Sequence, residues 1–250
     1  MKYVRIEAGG KPRWGVVKGE DILTLNEAPF SNLDYDGGSI PLSECRLLAP
    51  CEPTKIVCVG KNYAEHAREM GSEAPGFPVL FIKACNTLNR HDGAIRAPGF
   101  VTRLDYEGEL AVVIRRRAKD VKAADYADYV LGYTCLNDVT ARDVQQHDGQ
   151  WTRAKSMDGF CPIGPWVVDE VDPGALNLET RLNGKPVQKG NTGDFITSVP
   201  KLLEFITASM TLEPGDVVAT GTPAGIGPMV PGDVVEVEIE GIGILKNQVI

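Results

Sequence analysis

The sequence predicts an α+β fold in which strands outnumber helices. Short alternating or β-branched apolar segments recur along the 250 residues. Gly-Gly, Gly-Glu-Asp and Pro-Gly turn signals separate them, and helical periodicity is confined to a few short stretches. With 43% hydrophobic and 24% charged residues, the chain can bury a substantial core in one large domain, with or without a small appendage. A net charge of -8 argues against nucleic acid or an anionic membrane as partner. No apolar run approaches the ~20 residues needed to span a bilayer. The amino terminus, MKYVRIEAGG, lacks the continuous apolar segment of a signal peptide. Six cysteines without a CxxC pair read as reduced thiols in a cytoplasmic protein. The three histidines lie far apart in sequence, which argues against zinc.

In chain order, residues 1–52 contain YVRIEA, RWGVV and DILTL, and read as a small β-rich amino-terminal unit. Pro50 and Pro53 mark a boundary, leaving residues 53–250 as the larger unit. KIVCV is then a buried strand ending at Gly60. NYAEHAREMG reads as a short helix, with Asn62 as N-cap, Glu65 completing a capping box and Gly71 as the stop. The turn-rich SEAPGFP follows, so this helix is bracketed by loops and is a candidate lid. PVLFIK, YVLGYTCL and GPWVV are strands, while VTARDVQQ and SVPKLLEFITASM are helical. The last forty residues read as hairpins, with a local echo in Glu213-Pro214-Gly215-Asp216 and Val230-Pro231-Gly232-Asp233.

The most informative strand covers residues 104–114, LDYEGELAVVI. With a period of two, Asp105, Glu107 and Glu109 share a face with Ala111 and Val113, which belong in a core. Carboxylates buried together suffer desolvation and mutual repulsion, and a divalent cation with oxygen ligands relieves both. Asp138, at the end of YVLGYTCL, is the candidate third ligand. A solvated strand with Asp138 merely capping a helix fits the same pattern, and these residues alone leave both open. His66 and Glu69, at i and i+3 on the lid candidate, form either an acid/base pair or a surface ion pair. GTPAGIG, residues 221–227, offers backbone N–H groups and the Thr222 hydroxyl to a carboxylate or phosphate, or is simply a hairpin loop. It is neither a P-loop nor a dinucleotide fingerprint.

Five stretches in order, GKNYAEH, DYEGEL, NDVTARD, WTRAKS through Gly164-Pro165, and GTPAGIG, resemble the fumarylacetoacetate hydrolase family from about Lys55 to the carboxyl terminus. The resemblance implies mixed sheets rolled into an irregular barrel, in a homodimer. It implies Mg²⁺, with Mn²⁺ or Ca²⁺ as substitutes, on Glu107, Glu109 and Asp138. His66 and Glu69 would form a dyad on a lid, Arg142, Gln145 and Lys155 would surround the substrate's anionic oxygens, and Thr222 would bind its carboxylate. Where many relatives carry a Pro-rich segment, this chain reads ACNTLNRHD, which leaves substrate preference open; His91 within it is expected to be an ordinary loop histidine.

The expected reaction is metal-dependent chemistry on a small 2-oxo acid. The cation would chelate the carboxylate and the 2-oxo oxygen, with Lys155 helping to stabilise an enolate. Hydrolytic C–C cleavage of an acylpyruvate and decarboxylation of a β-keto acid rank first. Isomerisation of an unsaturated 2-hydroxy or 2-oxo diacid, of the 2-hydroxyhepta-2,4-diene-1,7-dioate type, is the alternative. A binding module with a structural metal is the reading from another class, and loss of His66, Glu69 or Lys155 would have favoured it.

Overall fold

A computed structural model describes every residue from 1 to 250 except Ser72 and Ala74, so the SEAPGFP connection lies partly outside the described residues. β1 (Lys2–Ala8), β2 (Lys11–Lys18), β3 (Asp21–Leu25) and β4 (Tyr35–Pro41) form an antiparallel meander, and β5 (Arg46–Leu47) returns to pair with β1. Val4, Ile6 and Ile22 pack together in one cluster, while Tyr3, Val16 and Leu25 join another.

β6 (Ile56–Gly60) is the buried β-branched run, followed by α1 (Ala64–Glu69), β7 (Val79–Lys83), β8 (Leu88–Arg90) and β9 (Ala94–Ile95). One sequence expectation fails at the start of α1. Tyr63, not Asn62, is the N-cap, so the expected capping box does not form. Asn62 turns inward, donating through Nδ2 to the Thr197 and Thr220 carbonyls at 3.1 and 2.8 Å and accepting the Thr197 N–H at 2.8 Å. A buried amide must satisfy its own donors and acceptors before it can cap a helix.

The strand expected over residues 104–114 is in fact two. β10 (Leu104–Tyr106) and β11 (Gly108–Ile114) lie in different sheets, with Glu107 at the break. The Glu107 N–H donates to Asn137 Oδ1 at 3.0 Å, and its carbonyl accepts the Asp138 N–H at 2.8 Å. These bonds replace ladder bonds and carry Asp105 away from the face that Glu109 shares with Ala111 and Val113.

Beyond β12 (Val130–Asn137) and β13 (Thr140–Ala141) lie α2 (Arg142–Asp148) and α3 (Thr152–Lys155). The helix expected in VTARDVQQ starts only at Arg142, because Thr140 and Ala141 pair with β10. β14 (Cys161–Val168), β15 (Asn177–Leu182) and β16 (Lys185–Asn191) precede α4 (Val199–Ser209). α4 buries Val199, Leu202, Leu203, Ile206 and Thr207, the i, i+3, i+4, i+7, i+8 stripe of an amphipathic helix, with Pro200 in its first turn. β17 (Val217–Ala219), β18 (Gly227–Met229), β19 (Val234–Ile239) and β20 (Gly243–Val249) complete the chain. The Pro-Gly echo is one turn used twice: Gly215 and Gly232 take φ of +87° and +99°, as a type II turn requires. In each, the closing Asp216 or Asp233 carboxylate accepts the N–H of the first turn residue, at 2.7 and 2.8 Å.

Among the described residues the strands form three mixed or antiparallel sheets. The largest runs β4-β3-β2-β1-β14-β12-β11-β17-β6-β7, with β5 on β1 and β8 on β14. Its β6–β17 and β8–β14 pairs are parallel. The others run β13-β10-β18 and β16-β15-β19-β20-β9. Among the described residues none closes on itself, so the α+β class with mixed sheets holds without a closed barrel: β4 and β7 remain as open ends. β11 is buried along its whole length, with Leu110, Val112 and Ile114 in one core cluster and Ala111 and Val113 in another. No helix among the described residues is long and apolar enough to cross a membrane. All six cysteines are free thiols.

Candidate metal centre and active site

The break at Glu107 and the turn after β12 bring three acids together. One carboxylate oxygen each from Glu107, Glu109 and Asp138 lies within 4.8 Å of the others, and all three residues are buried. Two acids came from one stretch of sequence and the third from the end of the neighbouring strand, as expected. Asp105 does not join them; Arg103 and Arg142 hold it at 2.9 Å each.

The acids differ in compensation. Lys155 Nζ donates to Glu107 Oε2 at 2.9 Å, to Thr140 Oγ1 at 2.8 Å and to Asp138 Oδ2. Burial pushes the Glu107 carboxyl up, but Lys155 and Arg142 outweigh it and lower its pKa to about 2. Asp138 also takes Lys83 Nζ at 2.5 Å, and Lys83 has no exposed surface. Among the described residues Glu109 has only the Gly221 N–H as a hydrogen-bond partner, at 2.8 Å. Burial, then Asp138 and Glu107, push its carboxyl well above the usual range. A dry set of hard oxygen donors with one under-compensated carboxylate fits a divalent cation of the Mg²⁺, Mn²⁺ or Ca²⁺ type. The triad can hold such an ion.

α1 places His66 on the wall of the same cavity, with Glu69 beside it at the exposed edge. His66 Nδ1 is 3.1 Å from Glu69 Oε2; His66 is only 6% exposed, whereas Glu69 is exposed, so the pair spans the cavity wall and its rim. An ionised Glu69 selects the Nδ1–H tautomer and leaves Nε2 as the basic nitrogen. The Glu69 carboxylate also accepts the Gly225 N–H at 3.1 and 3.3 Å, so GTPAGIG latches the helix. Only glycine can make that latch: a Cβ on Gly225 would lie 2.4 Å from the Val187 carbonyl, at a φ of +99°.

The remaining expected residues also line the cavity, with their polar groups already partly engaged. Arg142 donates to Asp105, to Glu107 and, at 2.6 Å, to Gln145 Oε1, which leaves the Gln145 NH₂ as its free end. The Thr222 hydroxyl donates to the Gly108 carbonyl and accepts from Gln188 Nε2, both at 2.8 Å. Phe81 and Trp151 form an apolar wall, their ring centroids 5.1 Å apart, with Lys155 Nζ 5.0 Å from the Phe81 centroid. The cavity is small, about 30 Å³. His91 is the loop histidine expected, its Nδ1 accepting the Lys246 N–H at 3.2 Å. Lys83 was missed as a site residue because it reads as the polar end of PVLFIK. Its phase was the available signal: it shares a face with Phe81.

The family model described as fumarylacetoacetate (FAA) hydrolase C-terminal matches residues 55–250. The chain belongs to the fumarylacetoacetate hydrolase family. A second model, Rv2993c-like N-terminal, matches residues 1–50. Among family relatives, oxaloacetate tautomerase YisK of Bacillus subtilis is 44% identical over 223 residues, 83% of this chain and 74% of its own. The crystal structure of 5-carboxymethyl-2-hydroxymuconate delta-isomerase from Mycobacterium smegmatis has a TM-score of 0.95 at 42% identity, covering 100% of this chain and 99% of that one. Maleylpyruvate hydrolase from Sphingobium sp. SYK-6, in complex with manganese(II) and pyruvate, has a TM-score of 0.83 at 30% identity with the same coverage.

Proposed function

We propose that the protein is a Mg²⁺-dependent enzyme of small 2-oxo acids that works through an enolate, by C–C hydrolysis of acylpyruvates or decarboxylation of β-keto acids. The observation that carries this reading is the meeting in one cavity of the Glu107, Glu109 and Asp138 oxygens with the buried His66 imidazole, which Glu69 orients from the cavity's exposed edge. Glu107, Glu109 and Asp138 would hold the ion, which when bound supplies Lewis-acid charge that favours the enolate form of a 2-oxo acid.

The chain's own groups do the rest. His66 Nε2 takes a proton from water or carbon, and Glu69 holds the imidazole in the required tautomer. In hydrolysis, the deprotonated water attacks the acyl carbonyl. The C–C bond breaks with its electrons going to the 2-oxo fragment, whose enolate then regains a proton at C3. In decarboxylation, CO₂ leaves with the same electron flow. The Lys155 ammonium, its three N–H groups held by Glu107, Asp138 and Thr140, stabilises the developing enolate through its charge, and burial strengthens that interaction. Burial works against its charge, but Asp138 and Glu107 raise its pKa further, so it stays protonated. Arg142 keeps Glu107 ionised, Gln145 and Thr222 bound the pocket for the substrate carboxylate, and the Phe81–Trp151 wall excludes water.

Isomerisation is the second reading, supported by the likeness to the M. smegmatis isomerase. It uses the same enolate, with His66 returning the proton to a different carbon. The presence of His66, Glu69 and Lys155 together argues against a non-catalytic binding module. We further propose that the enzyme works as a cytoplasmic homodimer, on the family resemblance and its unpaired thiols. The test is a panel of oxaloacetate, an acylpyruvate and an unsaturated 2-hydroxy diacid, each assayed with Mg²⁺, after EDTA and after Mg²⁺ is restored. Turnover that falls with EDTA and returns with the ion is expected. Turnover indifferent to metal removal refutes the metal-dependent mechanism, and metal binding without turnover of any acid returns the binding module.

A further inference from the structure

One cation of the cavity wall has no part in the mechanism above. Lys61 follows the last residue of β6 and lines the cavity together with His66, Glu107, Glu109, Asp138 and Lys155. Every other cation of the site has an acid: Lys155 takes Glu107 and Asp138, Lys83 takes Asp138, Arg142 takes Asp105 and Glu107, and Arg103 takes Asp105. Among the described residues Lys61 has no acidic partner.

Its backbone is also unusual. Lys61 has a φ of +59°, and the other non-glycine residues with positive φ are Asp92, Asp120 and Asn183. Short Asx side chains ease the left-handed conformation by bonding locally, and lysine cannot. Such strain persists only where neighbours over-determine it. Here Asn62 is tied to Thr197 and Thr220. On the other side, Gly60 lies so close to Trp151 that a Cβ would stand 2.8 Å from the indole. The Lys61 backbone is pinned at the cavity rim, and its flexible stem carries the ammonium.

Charge indicates what that ammonium meets. Asp105, Glu107, Glu109 and Asp138 are balanced by Lys83, Arg103, Lys155 and Arg142. A divalent ion adds two positive charges, Lys61 adds one, and Glu69 removes one. The net of two suits a dianion. We infer that Lys61 binds a second carboxylate of the substrate, so that the site selects 2-oxo dicarboxylates over 2-oxo monocarboxylates. The 2-oxo carboxylate end would lie at the acidic triad and the distal carboxylate at Lys61, with the carbon chain against Phe81 and Trp151. This inference rests on the 2-oxo acid reading of the same site.

A matched ligand pair tests it. 2-Oxoglutarate and 2-oxopentanoate have the same chain length and differ in a terminal carboxylate against a methyl; neither is a β-keto acid, so neither is consumed by decarboxylation. Each is titrated calorimetrically into Mg²⁺-supplied wild type, Lys61→Met and Lys61→Arg. One charge-assisted hydrogen bond predicts a wild-type preference for the dianion of roughly 10- to 100-fold. Lys61→Met should abolish that preference while leaving 2-oxopentanoate affinity within about twofold, and Lys61→Arg should keep most of it. Lys61→Asn, which suits the backbone but lacks the charge, should lose the preference as Lys61→Met does, with no loss of thermal stability. A preference that survives in Lys61→Met, or equal binding of both acids by wild type, overturns the assignment of Lys61 alone. If wild type binds neither acid, the 2-oxo acid reading falls and this assignment falls with it.

Discussion

Lys83 offers the sharpest test of how the acidic centre is held together. Its ammonium is buried with no exposed surface, and so is its partner Asp138; among the described residues it donates beyond that pair only to the Val139 carbonyl, at 3.1 Å. Lys83→Met keeps an unbranched stem of similar bulk and removes the charge. Asp138 then has Lys155 as its one remaining cation, shared with Glu107. Breaking one side of a buried ion pair costs about 3–5 kcal/mol. At about 2–4 °C per kcal/mol for a chain this long, the melting temperature should drop by roughly 6–20 °C. Asp138→Asn should cost a similar amount, because it leaves Lys83 as the uncompensated charge. The double variant removes both charges, so its cost should fall short of the sum by about 2 kcal/mol or more. Urea unfolding followed by tryptophan fluorescence in EDTA measures all four corners of this cycle without reference to activity. Additive single effects, or a Lys83→Met cost under about 1 kcal/mol, would refute the argument that the pair is a buried and mutually dependent unit.

Further outcomes follow from the same geometry. Glu109→Ala should lose most of the bound divalent ion by metal analysis and activity with it; stoichiometric metal at full turnover would sink the ligand assignment. His66→Ala should fold and bind metal normally while kcat falls ~10²–10⁴-fold, and an unchanged kcat would mark the dyad as mere packing. Lys155→Arg should be nearly as damaging as Lys155→Met, because a planar fork cannot replace a compact ammonium against Glu107, Asp138 and Thr140. Borohydride during turnover should trap no adduct on Lys155, and a reduced imine in the mass spectrum would overturn the electrostatic role. Glu107 has a folded pKa of about 2, below its ordinary value of 4.5. Its contribution to stability is therefore present above about pH 4.5 and lost as pH falls toward 2. Glu107→Gln should remove that part of the acid limb in metal-free unfolding curves, and an acid limb identical to wild type would contradict the shift.

The sequence by itself determined the features that depend on neighbours along the chain. β-Branched runs such as KIVCV specify buried strands, the α4 stripe specifies its inward face, and the two Pro-Gly-Asp echoes at residues 214–216 and 231–233 specify type II turns. Five short stretches in order were enough to indicate the family, and the i, i+2 acids with Asp138 were enough to raise a cation site. The tertiary structure decided everything that depends on which groups meet across the fold. The regular period of residues 104–114 could not show the break at Glu107, because the bonds that cause it come from Asn137 and Asp138. Asn62 carries a good capping signal, yet its partners are Thr197 and Thr220, far away in sequence. Lys83 reads as a polar strand end and is fully buried against Asp138, while Lys61, one letter of the GKNYAEH stretch, lines the cavity with no acidic partner among the described residues. Local steric and hydrophobic preferences act over a few residues and are written in the sequence, whereas the compensation of a buried charge is a long-range account that closes only when distant side chains are brought within hydrogen-bonding reach.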